Sequence, residues 1–203
     1  MNNNASHWIV VRRIAASDEE LRGRVSAAEW EYAARRLSGL RRRAWLSWRA
    51  VARERLGMEA VIGYDGNGAP VVGTGCIGVS HDADYVAVIY DRQARCAIDV
   101  ERTDRSFVRA ESKYLSAAER HEAACGHPLF RAAAWCAKEA LYKYGGVSGV
   151  DFSEDIGVEA FDPCRMRIEG RLPDGRRVTV RLAMADEKNL MAYICDFRTE
   201  KFE

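Results

Sequence analysis

Apolar positions along the chain follow strand spacing in some stretches and helical spacing in others. Short apolar runs bounded by turn residues predict strands at residues 8–11 and 60–64. Between them, over residues 18–56, apolar positions recur at helical spacing, and Ser38-Gly39 divides the pattern into two helices. The N-terminal part of the chain is therefore predicted to place helices between strands.

Three strand-like runs follow this helical stretch, at residues 76–80, 85–90 and 96–101. The polar residues 91–95 turn the chain between the last two, which predicts that these two strands form an antiparallel hairpin.

Helical spacing returns over residues 107–144. Ser116 and Glu119 have the spacing of a capping box, Pro128 suits the start of a further helix, and Gly145-Gly146 suits its end. Four strands are then predicted, at residues 156–161, 166–172, 176–184 and 190–197. Helices followed by strands, twice over, predict an α+β protein of two halves, residues 1–104 and 105–203.

The composition excludes several classes of protein. The 203 residues carry 31 basic and 30 acidic side chains, a net charge of +1, which argues against a general nucleic-acid coat and an acidic tail. No apolar run is long enough to cross a bilayer, and residues 1–7 lack the pattern of a secretory signal. Six cysteines without a CxxC pair do not suit a structural zinc site. We expect a cytoplasmic protein without a membrane or nucleic-acid partner.

The basic charge is concentrated near the N-terminus. Between Arg12 and Arg55 there are twelve arginines, six acidic residues and no lysine. Guanidinium groups bind oxyanions with two hydrogen bonds, so the segment suits phosphate recognition, but a solvated helix face would have the same composition.

A glycine pattern at residues 73–78 fits G-x-G-x-x-G. A dinucleotide-binding loop must lead into a helix that receives the pyrophosphate, and here another strand follows. We therefore interpret the pattern as a flexible loop.

Asp99 and Glu101 stand two positions apart in a predicted strand, so both side chains lie on one face. Two carboxylates so close repel each other unless a cation or a proton lies between them, and oxygen ligands of this kind suit Mg²⁺. An exposed acidic strand end is the alternative interpretation.

Trp135, Glu139 and Lys143 recur every four residues, which places them on one side of a predicted helix. An exposed ion pair would explain Glu139 and Lys143, but the leading Trp135 and the surrounding alanines indicate a packed face. A carboxylate and an ammonium group there would suit phosphoryl-group transfer.

Three sequence motifs together resemble the 4′-phosphopantetheinyl transferases. They are the Val-Ser-His of residues 79–81, the Ala-Ile-Asp-Val-Glu of residues 97–101, and the Trp-x-x-Lys-Glu-Ala-x-x-Lys of residues 135–143. The chain length and the helical N-terminal half resemble the larger monomeric type that activates synthetases. The resemblance extends over about residues 37–197 and is sharpest at the motifs.

The resemblance implies transfer of phosphopantetheine from coenzyme A to a serine of an apo acyl or peptidyl carrier protein, with release of 3′,5′-ADP. It also implies a monomer of two pseudo-symmetric α+β halves, each a small mainly antiparallel sheet packed with helices, with the active site between them. Asp99, Glu101 and Glu139 would hold Mg²⁺, Glu139 would act as base, and Lys143 would bind the leaving group. Lys138 would have a structural role or contact a phosphate edge.

The resemblance further implies which residues contact coenzyme A. They are the basic residues of the arginine-rich helices, the G-K-P-like turn, and the serine and histidine of the first motif: Arg36, Arg43, Arg49, Gly68, Pro70, Ser80 and His81, with Lys143. Two departures stand out. Ala69 replaces the lysine of the turn, and Asp82 adds a negative charge after the Ser-His pair.

Two other functions remain open. A non-catalytic homologue that binds coenzyme A or a carrier protein would tolerate the lost lysine, although it would not need the carboxylates. A nucleic-acid-binding module would use the arginine helices, but the near-neutral total charge and the three carboxylates argue against it.

Overall fold

The computed structural model describes residues 6–196, which form two compact units, residues 6–95 and residues 96–196. Within this described part of the chain, no helix has both the length and the apolar character that a membrane span requires.

The first unit combines a three-stranded sheet, a short hairpin and two helices. Its elements are β1 (His7–Arg13), α1 (Ala27–Arg36), α2 (Gly39–Leu56), β2 (Ile62–Tyr64), β3 (Pro70–Val72), β4 (Cys76–His81) and β5 (Tyr85–Asp91). The sheet has the order β1-β5-β4 and is antiparallel throughout, and β2 pairs with β3. Every residue of the central strand β5 is buried.

The helices of the first unit owe their bounds to local hydrogen bonds. Ser26 caps α1: its hydroxyl accepts a hydrogen bond from the backbone N–H of Glu29, and the Glu29 carboxylate accepts one from the backbone N–H of Ser26. The helix α2 packs against β5 and buries Trp48 and Val51 in a core with the sheet. The first of the two helices predicted over residues 18–56 therefore begins at Ala27, and residues 18–25 form turns and bends instead.

The second unit is a five-stranded antiparallel sheet covered by a long helix. Its elements are β6 (Ala97–Arg102), a 3₁₀ helix (Val108–Lys113), α3 (Ala117–Cys125), α4 (Phe130–Gly145), β7 (Gly157–Asp162), β8 (Arg167–Arg171), β9 (Arg177–Met184) and β10 (Asn189–Ile194). The strand order is β6-β10-β9-β8-β7.

The position of α4 over the sheet follows from its sequence. Alanines along α4 let it pack closely against β6 and β10, and Ala133, Ala137 and Ala140 have no exposed surface. The helix ends at Gly145 and is capped by Gly146, whose φ of 66° is the left-handed conformation that favours glycine. This close packing holds the side chains of α4 against those of β6.

The predicted α+β class, with antiparallel sheets packed against helices, is confirmed. The predicted pseudo-symmetry of the halves stays a prediction. A turn at Asp174-Gly175 connects β8 to β9, between two of the predicted strands. The end of the last predicted strand, at residue 197, lies outside the described residues.

The hairpin expected from residues 85–101 is wrong. β5 has β1 on one edge and β4 on the other, so neither edge is open to β6. β6 pairs instead with β10, and the chain passes from the first unit to the second between Arg95 and Cys96. The second unit therefore includes β6, which the sequence analysis assigns to residues 1–104.

Candidate functional site

β6 and α4 bring Asp99 and Lys143 into direct contact. Asp99 pairs with Ala192 of β10, so its side chain lies on the face of the sheet that α4 covers. Lys143 Nζ donates a hydrogen bond of 2.7 Å to Asp99 Oδ1 and one of 3.2 Å to the carbonyl oxygen of Ile98. Asp99 is buried, and Lys143 is about one-third exposed. The ion pair therefore fixes one end of α4 to the strand.

Two side chains hold Glu101 on the same face of β6. Trp135 Nε1 donates a hydrogen bond of 2.7 Å to Glu101 Oε1, and Arg105 Nη1 donates one of 2.6 Å to Glu101 Oε2. The helical spacing predicted Trp135 on the same side of a helix as Glu139 and Lys143, but neither its contact with Glu101 nor that of Arg105 was predicted. Arg105 lies in the irregular segment after β6, where no periodicity indicates the direction of a side chain.

Glu139 lies within the electrostatic reach of the same groups. Burial and the negative charge of Asp99 raise the pKa of Glu139 to about 7, and Glu101 adds to the effect, whereas Lys143 and Arg105 oppose it. Burial also raises the pKa of Glu101, since the hydrogen bond from Trp135 offsets only part of it. Three carboxylates thus share one small patch and repel one another. We call Asp99, Glu101, Glu139 and Lys143 the carboxylate–lysine cluster.

Lys143 itself remains a strong cation. Burial alone would lower its pKa, but the charge and the hydrogen bond of Asp99 outweigh burial and raise it. The ammonium group is therefore fully charged near neutral pH. It is positioned to attract an anion that enters the cluster.

The chemistry of the cluster fits Mg²⁺. Carboxylate oxygens are the ligands that this ion prefers, and a divalent cation would offset the repulsion that raises the pKa of Glu139. The side chains do not form a ready-made metal site: across residues 6–196, no three His, Cys, Asp or Glu side chains are grouped to hold a metal ion. In this structure Arg105 and Trp135 occupy both oxygens of Glu101.

Lys138, one residue before Glu139, points into the core. Its ammonium group is fully buried and donates hydrogen bonds to Glu119 Oε2 at 2.7 Å and to the carbonyl oxygen of Phe152 at 2.8 Å. Glu119 Oε1 also accepts the backbone N–H of Val158. Lys138 thereby joins α3, α4 and the segment before β7, so the structural role is the one that its contacts support.

The sequence of residues 95–194 matches the model of the family described as the 4′-phosphopantetheinyl transferase superfamily. The matched segment contains β6, α4 and the whole carboxylate–lysine cluster. The match indicates a domain of this superfamily at residues 95–194. No curated protein matches the chain. The resemblance inferred from the motifs is confirmed for the superfamily, and the assignment to the larger monomeric type stays a prediction.

The Ser-His motif that resembles this superfamily lies in the first unit. Ser80 and His81 end β4, with Ser80 buried and His81 exposed. The carboxylate of Asp82 accepts hydrogen bonds from the backbone N–H groups of Asp84 and Tyr85 at 2.7 and 2.8 Å. Asp82, which differs from the residue at this place in the superfamily motif, therefore stabilises the turn between β4 and β5 through its carboxylate.

The turn that resembles G-K-P joins β2 to β3. Gly68 has a φ of 80°, and its backbone N–H donates to the carbonyl oxygen of Asp65. Asp65 Oδ1 accepts two further backbone N–H groups, from Asn67 and Ala69, and Pro70 begins β3. The turn is thus ordered by its own hydrogen bonds, without the lysine that Ala69 replaces.

The three arginines predicted to bind coenzyme A differ in their surroundings. Arg36 is exposed in the last turn of α1. Arg43 lines a cavity of about 610 Å³ at the start of α2, and its buried Nε has no hydrogen-bond partner among residues 6–196. Arg42 lines the same cavity but pairs with Asp18.

Arg49 has no free surface for a ligand. Its guanidinium donates to Glu29 at 2.7 Å and lies over the rings of Trp45 and Trp48, 4.1 and 4.6 Å from their centres. Only 4% of its side chain is exposed. Arg49 is therefore not accessible to a ligand in this structure, in contrast to Arg36, which is exposed, and Arg43, which lines a cavity.

Proposed function

We propose that this chain transfers the 4′-phosphopantetheine group of coenzyme A to a serine of an apo acyl or peptidyl carrier protein and releases 3′,5′-ADP. Membership of the superfamily supports transfer of the phosphopantetheinyl type. The observation that carries the proposal is the carboxylate–lysine cluster, because β6 and α4 bring a base, further carboxylates and a cation into one patch.

In the proposed reaction, the hydroxyl oxygen of the carrier serine attacks the phosphorus next to the pantetheine arm. The bond between that phosphorus and the bridging oxygen breaks, and the electron pair leaves with 3′,5′-ADP. Glu139 accepts the proton of the serine hydroxyl. Lys143, charged and held by Asp99, stabilises the negative charge that develops on the leaving phosphate.

Asp99, Glu101 and Glu139 are the residues that would hold Mg²⁺. When bound, this ion neutralises the negative charge of the pyrophosphate and lowers the barrier to attack by an oxygen nucleophile. The carboxylates belong to neighbouring elements, and the ion pair and hydrogen bonds around them limit how far they move.

For coenzyme A, the proposal assigns the 3′-phosphate to Arg36 and Arg43 and gives Arg49 only a supporting role beneath the surface. The cavity that Arg43 lines supports this choice, because a guanidinium beside open space can form charged hydrogen bonds with an anion. Backbone and side-chain groups of four further residues would line the nucleotide: Gly68, Pro70, Ser80 and His81.

The chain length and the helical N-terminal half, which resemble the larger monomeric type, are the basis for proposing that the protein acts as a monomer. We also propose that it acts in the cytoplasm, where coenzyme A and carrier proteins meet.

The decisive experiment incubates the chain with coenzyme A, Mg²⁺ and several apo carrier proteins and measures the intact mass of each carrier. We expect a phosphopantetheine adduct on at least one of them. Glu139→Gln should reduce the rate by about 100-fold or more, because the amide cannot accept the serine proton. The unfolding midpoint should stay close to that of the wild-type chain.

Glu122→Gln is the matched control, because Glu122 is an exposed glutamate on α3. Its rate should equal that of the wild-type chain. Full activity of Glu139→Gln would refute the assignment of the base. Absence of an adduct on every carrier, together with tight binding of coenzyme A, would favour the non-catalytic homologue instead.

A further inference from the structure

Glu101 is held by two donors of different kinds, one on each carboxylate oxygen. We infer that Trp135 and Arg105 are positioning residues for Glu101: Trp135 fixes one oxygen, and Arg105 holds the other as a replaceable cation until a divalent metal ion takes its place. The inference rests on the proposed metal role of Glu101. It gives a part in that role to Trp135, the first residue of the third motif, and to Arg105, which lies outside the motifs.

Trp135 has the features of a permanent support. Its indole ring packs edge-on against Tyr114, with 5.1 Å between the ring centres, and at a tilt against Phe152, with 5.9 Å between the ring centres. Tyr114 is fully buried and Phe152 half-buried. With neighbours on both sides, the indole N–H cannot turn away from Glu101 Oε1 without disturbing the core. One oxygen of Glu101 is therefore fixed in direction.

Arg105 has the features of a temporary partner. Its side chain is 45% exposed, and it belongs to the irregular segment between β6 and the 3₁₀ helix. An ion pair exposed to this degree is weak, because water competes for both charges. Its guanidinium supplies the positive charge that Glu101 needs beside Asp99 when no metal ion is bound.

The guanidinium has contacts other than Glu101. It lies over the rings of Phe107 and Trp135, 4.7 and 5.4 Å from their centres. It also borders an open groove of about 570 Å³, lined in part by Val108 and Leu129. Moving the side chain toward this groove exposes Glu101 Oε2, while Trp135 still holds Oε1. At Glu101, metal binding then exchanges one cation for another.

The test measures metal affinity directly, by electron paramagnetic resonance of free Mn²⁺ during titration of the whole chain, with and without coenzyme A. Arg105→Ala should lower the dissociation constant for Mn²⁺ about two- to five-fold, because the competing cation is gone. Arg105→Lys should restore a value near wild type. Trp135→Phe keeps the ring but loses the N–H donor, and should raise the dissociation constant roughly ten-fold.

The opposite signs separate positioning from general damage, since a loss of structure would weaken binding in both variants. Arg102→Ala is the control for net charge: Arg102 is the last residue of β6, close to Arg105 in the chain, but it pairs with Asp104. Its dissociation constant should stay within about two-fold of wild type. If Arg105→Ala binds Mn²⁺ with the same affinity as wild type or more weakly, or if Trp135→Phe binds it unchanged, the inference is wrong. If the wild-type chain binds no Mn²⁺ in either condition, the proposed metal role itself fails.

Discussion

At the scale of single residues, Glu29 illustrates how burial and pairing decide the state of a charge. Its two carboxylate oxygens accept hydrogen bonds from Arg49 and Arg53, and all three side chains are buried. Burial acts to raise the pKa of Glu29, but the hydrogen bonds from Arg53, the Ser26 backbone and Arg49 outweigh it and lower the pKa to about 2. The folded first unit therefore depends on an ionised Glu29.

This dependence predicts acid sensitivity. A carboxyl group whose pKa is lower in the folded chain stabilises the fold above its ordinary pKa of 4.5, and the stabilisation is lost as the pH falls toward 2. The shift corresponds to on the order of 3 kcal/mol. Glu29→Gln should lower the free energy of unfolding by a similar amount at pH 7. Between pH 7 and pH 3, the free energy of unfolding of this variant should fall less steeply than that of wild type. Urea unfolding at several pH values measures both.

Glu31→Gln is the control for this prediction, since Glu31 lies on the same helix in a largely exposed ion pair with Arg35. Its stability at both pH values should follow wild type. An equally steep acid decline in Glu29→Gln would show that other groups are responsible.

The sequence was sufficient to select the residues of the carboxylate–lysine cluster, but not the side chains that hydrogen-bond to Glu101. Alternation along a strand places Asp99 and Glu101 on one face, and a spacing of four places Glu139 and Lys143 on one side of a helix. The contact between these two elements follows no local rule, and neither does the ion pair of Arg49 with Glu29. An arginine that binds phosphate and one that is paired in the core therefore look alike in the sequence.

At the scale of elements, two serines at helix starts form a matched pair. The Ser26 hydroxyl accepts a hydrogen bond from the N–H of Glu29 in a capping box, whereas the Ser38 side chain accepts no capping hydrogen bond at the start of α2. Ser26→Ala should destabilise the chain by about 1 kcal/mol, because a helix donor loses its acceptor, and Ser38→Ala by less than about half of that. Thermal or urea unfolding of both variants measures the difference, and equal losses would contradict this account.

Helix ends were predictable because their signals are local, as with the capping box of Ser116 and Glu119 and the left-handed Gly146. Strand pairing was not predictable in the same way. β6 follows β5 in the chain, but it pairs with β10, about 90 residues away, because both edges of β5 are occupied. A turn-like segment shows that the chain reverses without showing which strand it will join.

At the scale of the whole molecule, the net charge is near zero, but the acidic and basic residues with proposed roles are distributed unevenly between the two units. Of the residues to which we assign a role, the carboxylates lie in the second unit, and the arginines proposed for the 3′-phosphate lie in the first. The first unit also contains the Ser-His pair and the turn at Gly68. Metal binding and nucleotide binding are therefore assigned to different units of the fold.

This division predicts the behaviour of residues 96–196 as a separate chain. The fragment contains its own five-stranded sheet, the helix α4 and a buried core of its own, and about 100 residues suffice for an independent domain. We expect it to fold, as judged by dispersed amide resonances, and to bind Mn²⁺ nearly as the whole chain does when coenzyme A is absent. It should not transfer phosphopantetheine, because the arginines are missing. An unfolded fragment, or a folded one that fails to bind Mn²⁺ while the whole chain binds it, would show that the carboxylates depend on the first unit. Transfer at the full rate would instead remove the basis for assigning the nucleotide to Arg36 and Arg43.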